Sequence, residues 1–341
     1  MSASPQSPLR VLVLSGNLDA FVLRQTPNND GRWGNCEFHI NSPDGAYDRV
    51  VVYDNCPRAA SVICPPDGTL MLVGEPPEVK HYHPGFLRQF ARVASPDGNT
   101  PHPRLIDTQC GQPWFVGMAS KPDGSRFVNM DYAALARAQP EKTGLLSIVV
   151  GRTGLTEGHR MRARLAEILQ DRLGSDVGVF GHMVNRVDDK SDALAPFKYH
   201  VALENGRYPH YWTEKLADAY LADCFPFYWG CMNTADYFDP AGFRTINIYD
   251  PESAADVIQT TIEAGAYEAT RDARQRDKRR IMEEYNLFAL MDRLISAPTA
   301  EPACPLAILP ERQFIDSPLR KFRHRLKRAV PRSIRPRRWK V

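Results

Sequence analysis

The sequence predicts an α/β protein of two domains. Three observations carry this. The 341 residues are about two domains' worth of chain. Apolar runs of strand length recur along it, each ending in polar or glycine-containing residues. In the second half these runs alternate with stretches of helical periodicity, which implies a parallel sheet covered on both faces. A hydrophobic content of 43% is ample for packed cores. The expected division is a flexible start over 1–8, an irregular α/β domain over 9–140 and a more regular one over 141–266. A helical segment 267–296, a linker 297–318 and a basic amphipathic tail 319–341 follow.

In the first half, Leu9–Leu14, Arg49–Tyr53 and Thr69–Val73 read as buried strands, closed by Ser15-Gly16-Asn17, Asp54-Asn55 and Gly74-Glu75. A short helix is expected over 84–93, and 95–131, rich in Pro, Gly and Asp, reads mostly as loop. The second half begins with strand 145–150. Helix 158–173 follows, with Met161, Leu165, Ile168 and Leu169 at 3.6-type spacing, then strand 177–180 and a polar insertion 185–191. Strand 199–203 leads through loop 205–212 to a helix that Thr213 caps. Strands 225–229 and 245–249 and helix 252–264 complete the pattern. Residues 267–295 form one long charged helix or a pair.

Composition excludes several classes. No apolar run reaches membrane-spanning length, and Met1 to Pro8 carry no basic-then-apolar leader, so a cytoplasmic location is the default expectation. The seven cysteines include no Cys-x-x-Cys pair, which argues against a disulfide framework or zinc knuckle and for buried free thiols. His81-x-His83 lacks acidic or thiol neighbours at ligand spacing, so no metal site is expected. Residues 319–341 hold eleven of the 43 Lys and Arg and no acid. The rest of the chain carries 32 basic against 40 acidic side chains, a net charge of −8.

The strongest site candidate is Tyr211-Trp-Thr-Glu-Lys215. It lies between a strand ending in Glu204-Asn205 and the strand Phe225–Trp229. Open α/β sheets bind ligands at the carboxyl ends of their strands. A helix opening on Thr213-Glu214-Lys215 offers free N–H groups and a cation, which suits a phosphate. Tyr208, Tyr211 and Trp212 supply flat faces able to stack on a base. An ordinary capped helix with solvated Glu214 and Lys215 is the competing reading.

The run Phe197–Asn205, then Tyr211-x-Thr-Glu-Lys215, then Phe225-Pro-Phe-Tyr-Trp-Gly230 resembles the C-terminal signature of the α1,3/α1,4-fucosyltransferase family. Leu146–Val150, Gly158-His-Arg-Met-Arg162 and Tyr237-Phe-Asp-Pro240 fit the same pattern in order, and the likeness covers about 143–265. It implies a GT-B-like fold, two Rossmann-like domains facing across a cleft, with GDP-fucose on the C-terminal domain and the acceptor on the N-terminal one. It further implies inverting transfer of L-fucose to an oligosaccharide or glycolipid acceptor. Lys215 and Arg162 would neutralise the diphosphate, and Glu214 would accept from the ribose hydroxyls. Tyr211 and Thr213 would line the nucleotide pocket; Glu204 and Asn205 would shape the sugar side. The chain contains no Asp-x-Asp pair, so these cations are expected to act without metal or other cofactor. Two departures stand out: Gly206 replaces a serine after Glu-Asn, and Gly151-Arg152 replaces Ser-Asn.

An inverting transferase needs a carboxylate to take the acceptor proton. The resemblance places it near Asp97, with Glu75 and Glu78 as rivals; an aspartate making a loop turn is the competing reading of Asp97. In the tail, Leu319, Phe322, Leu326 and Val330 share a helical face among basic residues. This predicts peripheral docking on an anionic membrane surface; nucleic acid is not expected, because no accompanying nucleic-acid-binding fold is legible.

Overall fold

Two strands, Leu9–Leu14 and Gly144–Val149, each sit near the middle of a parallel sheet. The computed structural model describes residues 7–77, 79–150, 157–181 and 184–315. The first sheet runs, in spatial order, 32–33, 36–40, 9–14, 49–53, 69–72, 92–95 and 105–107, parallel throughout except for its outermost strand. The second runs 177–180, 144–149, 197–203, 225–229 and 244–245, all parallel. Continuous burial along Val11–Leu14 and Phe225–Trp229 explains why these strands read as unbroken apolar runs.

Helices cover both faces of the second sheet. Glu157–Leu173 and Pro251–Glu263 pack Leu165, Leu169, Ala255 and Ile258 on one side. Glu214–Leu221 packs Leu216, Ala217 and Tyr220 on the other, beside Ile281 of Arg271–Glu283. The result is two Rossmann-like halves whose strand carboxyl ends face each other across a cleft, the GT-B-like arrangement.

The segment after 266 departs from the expected helix-then-linker. It forms three helices, Ala266–Ala269, Arg271–Glu283 and Leu287–Ile295. The last crosses back to the first sheet, burying Leu287, Phe288, Leu290 and Met291 against Val11, Val13 and Val51. Asn286 makes the crossing. It is fully buried, caps the helix at the Phe288 N–H and donates to the Gln25 carbonyl at 2.7 Å. The expected linker then contributes strand Cys304–Ile308, antiparallel to Ala60–Cys64.

Three smaller corrections concern local structure. The helix expected over 84–93 is the four-residue Pro84–Leu87, followed by strand Arg92–Ser95. The loop 95–131 contains strands Leu105–Asp107, Met118–Ser120 and Arg126–Val128. The strand expected over 245–249 pairs only at Arg244–Thr245, because Ile246 and Ile248 turn into the core beneath Pro251–Glu263. The tail 319–341, Glu78 and Gly151-Arg152 lie outside the described residues.

Candidate active site

Counting only the parallel strands of each sheet in chain order, both run second, first, third, fourth. The order therefore reverses between the first and third strands of each, and such a switch point opens the crevice where α/β sheets bind ligands. On the C-terminal side Glu204 and Asn205 leave strand Phe197–Leu203 at this point. On the N-terminal side Asn17 and Asp54 follow strands Leu9–Leu14 and Arg49–Tyr53. These edges meet at a 350 Å³ cavity that Asn17, Asp54 and Glu75 line from one half and Asn205, Tyr211, Thr213, Glu214 and Lys215 from the other.

Glu204 organises the C-terminal wall. It is fully buried, and its carboxylate accepts the Thr213 N–H at 2.7 Å and the Thr213 hydroxyl at 2.6 Å. Thr213 in turn caps helix Glu214–Leu221 by accepting the Lys215 N–H. The cap thus ties the strand end to the helix start, and it swings Lys215 inward. Lys215 Nζ donates to Glu214 at 2.9 Å and lies 3.6 Å from Glu204. Burial raises the Glu204 pKa, with Lys215 opposing. Burial also acts to raise Glu214, but Lys215 and then Lys190 outweigh it and hold that carboxyl below its usual range. Burial alone would lower Lys215; the two carboxylates reverse this and keep it charged. Lys215 is therefore not the solvated cation of the competing reading, since carboxylates hold it in place.

Arg162 reaches the same residue from helix Glu157–Leu173. One guanidinium nitrogen donates to the Glu204 carbonyl, while Nε is buried without a partner among the described residues. Burial lowers its pKa, and Glu204 opposes this. Arg162 opens into a second cavity of 620 Å³, also lined by Asn205, Arg207, Tyr208, Trp229 and Tyr249. The two cations thus hold opposite sides of one residue and face adjoining cavities that share Asn205. Tyr211 is buried, with its hydroxyl pKa raised by burial and then by Glu204. Trp212 is not a stacking face: it lies in the core against Tyr237, Phe238 and Tyr285.

Of the three carboxylates open as the base, Glu78 lies outside the described residues, and the N-terminal wall places Asp97 and Glu75 differently. Asp97 Oδ1 accepts both the Asn99 N–H at 3.0 Å and the Asn99 side-chain amide at 3.2 Å, an aspartate closing its own turn. It lines a neighbouring 160 Å³ pocket and not the cleft cavity. Glu75 lines both that pocket and the cleft cavity. Burial raises its pKa, nearby Asp54 adds to this, and Lys215 opposes from across the cleft.

Sequence reading passed over Asp54 as a site residue. It is buried, with a left-handed φ of 60°, and accepts hydrogen bonds from Asn17 at 2.8 Å and from the Tyr82 hydroxyl. Lys80 donates to its carbonyl at 2.7 Å. The signal was a polar residue at a strand's carboxyl end. Its partners, 26 and 28 residues on, had none. His83 caps helix Pro84–Leu87. Among the described residues no group of three or more His, Cys, Asp or Glu could hold a metal ion.

No protein-family model matches the chain. A 64-residue stretch is 36% identical to the α-(1,3)-fucosyltransferase FucT of Helicobacter pylori. The chain resembles the α1,3-fucosyltransferases. The matched stretch is 19% of this chain and spans only 13% of that protein's length. Among solved structures, an α1,3-fucosyltransferase with GDP-fucose superposes at a TM-score of 0.45 with 17% identity, covering 80% of this chain and 83% of the other. A DNA-modifying β-glucosyltransferase gives 0.44 with 9% identity, covering 85% and 100%.

Proposed function

We propose that this chain is an inverting, metal-independent fucosyltransferase that moves L-fucose from GDP-fucose to a hydroxyl of an oligosaccharide or glycolipid. One observation carries the reading. Arg162 and Lys215 converge on Glu204 at the switch point of one sheet, with Glu75 facing Lys215 from the other. As the donor's C1–O bond breaks, negative charge builds on the departing diphosphate. Fixed cations aimed at that charge lower the barrier, and one such contact is worth about 3 kcal/mol.

The Arg162 cavity is of nucleotide size. Trp229 and Tyr249 offer aromatic faces there, and the unpartnered Arg162 Nε–H has a donor to give. Glu214, held ionised by Lys215, would accept from ribose hydroxyls. Asn205, shared by both cavities, would stand where the sugar bridges them. Glu75 is the proposed base in preference to Asp97, because burial raises its pKa, which makes it the stronger base, and its carboxylate lines the cleft cavity instead of closing a turn. It would take the acceptor's proton as the acceptor oxygen attacks C1 from the face opposite the phosphate, which inverts the anomeric centre. The basic tail would hold the enzyme on the cytoplasmic face of an anionic membrane. No helix among the described residues is long and apolar enough to cross one.

Isothermal titration with GDP-fucose, GDP-mannose and UDP-glucose tests the donor, followed by an acceptor screen read by mass spectrometry. GDP-fucose binding with transfer of one deoxyhexose supports the proposal. Preference for a UDP-sugar would move the activity to another donor, and binding of none would remove it.

A further inference from the structure

Away from the cleft, two cysteines face each other on the strand pair that returns the chain to the first domain. Cys304 stands directly opposite Cys64 where Cys304–Ile308 runs antiparallel to Ala60–Cys64. Burial alternates along Ala60–Cys64, with Ala60, Val62 and Cys64 inward. Directly opposed residues share a face, so Cys304 points to the same side as Cys64. Both thiols are free, Cys64 buried and Cys304 half-buried.

Pro305 fixes the kind of pair they form. It has no N–H, so its pairing with Ile63 must occupy a position without hydrogen bonds. Because the two kinds alternate, the neighbouring Cys304–Cys64 pair is a hydrogen-bonded one, with Cα atoms about 5.5 Å apart. Disulfides span Cα separations of roughly 4.4–6.8 Å; opposed Cβ atoms in a hydrogen-bonded pair stand farther apart than the roughly 3.5–4.5 Å of a relaxed disulfide, so the strands must close slightly and the bond formed is readily reduced. No other strand register among the described residues sets cysteine against cysteine.

We propose that Cys64 and Cys304 form a reversible disulfide under peroxide, a redox lock on the return strand. Cys304 is the thiol that an oxidant reaches. Its thiolate attacks a peroxide oxygen, forming a sulfenic acid as hydroxide leaves and takes up the thiol's proton. The Cys64 sulfur then attacks that sulfur, loses its proton, and water departs. Two thiols and one hydrogen peroxide become one disulfide and two waters. Burial pushes the Cys64 thiol up to about 12, so Cys64 is not the thiol that peroxide oxidises first.

The lock has a structural consequence beside the cleft. Just past the strand, Leu309 exchanges two hydrogen bonds with Gln89, at 2.9 and 2.8 Å. Glu311 accepts the His83 N–H at 2.6 Å and lies 3.9 Å from Lys80. The disulfide would therefore anchor the segment that carries Lys80 and Tyr82. It would also close a very long loop, the case in which a crosslink restricts the unfolded chain most. None of this depends on what the cleft binds.

The test treats the full-length reduced protein with hydrogen peroxide and follows intact mass, non-reducing peptide maps and thermal melting. The expected result is loss of two hydrogens, a peptide joining Cys64 to Cys304 and a raised melting temperature, all reversed by dithiothreitol. Cys304→Ser, at a half-buried position, should fold and lose all three responses; Cys64→Ser is less informative because that side chain is buried. A Cys304 driven to sulfinic acid while Cys64 stays a free thiol would overturn the proposal, as would a crosslink between other cysteines.

Discussion

Lys215→Ala strikes the centre of the proposed site. Lys215 Nζ lies 2.9 Å from Glu214 and 3.6 Å from Glu204. At an effective dielectric of about 20, those separations correspond to about 6 and 5 kcal/mol of gross attraction. Desolvation of the charges and repulsion between the two carboxylates offset much of it, so removing the cation should cost about 3–5 kcal/mol of stability. Glu204, already raised by burial, would relieve part of that cost by binding a proton. The catalytic loss is separate: without a cation facing the leaving diphosphate, turnover should fall about 10²–10³-fold. The assay pairs urea unfolding with GDP-fucose turnover for Lys215→Ala and for Lys215→Ala combined with Glu214→Gln. The double variant removes one of the stranded carboxylates, so it should recover stability without recovering turnover. Turnover within about threefold of the parent in the single variant would refute the electrostatic reasoning. Recovery of turnover along with stability would show that Lys215 is a purely structural cation.

Three further outcomes are expected. Glu75→Gln should lower kcat by about 10²–10⁴-fold while Asp97→Asn changes it little; steady-state kinetics with the reverse ranking would restore Asp97 as the base. His200 is buried against Ser147 at 2.8 Å, and burial, then Lys190, lowers its imidazole to about 3. The unfolded chain takes up a proton below about pH 6.5 that the folded one refuses. Stability should therefore be lost as pH falls from there toward 3, at roughly 1.4 kcal/mol per unit; urea unfolding of His200→Gln should show that slope flattened, and an unchanged slope would exclude His200 as its source. Truncation after residue 315 should abolish sedimentation with phosphatidylserine vesicles and leave GDP-fucose binding intact, whereas undiminished sedimentation would discard the tail as a membrane contact.

The local pieces of this protein are legible in its sequence. Strands Leu9–Leu14, Arg49–Tyr53 and Phe225–Trp229 are apolar runs, and the Thr213 cap follows from the residues beside it. Periodicity and capping act between near neighbours, so they can be read from one stretch at a time. The return of Leu287–Ile295 and Cys304–Ile308 to the first sheet could not be read that way. Neither could the turn that occupies Asp97, nor the meeting of Asp54, Lys80 and Tyr82. Whether Lys215 is solvated or clasped by two carboxylates likewise depends on Glu204, eleven residues earlier on a different element, being buried at the same edge. Such pairings are decided when sheets close on each other and the buried polar groups must all find partners, a condition on the whole chain rather than on any segment of it.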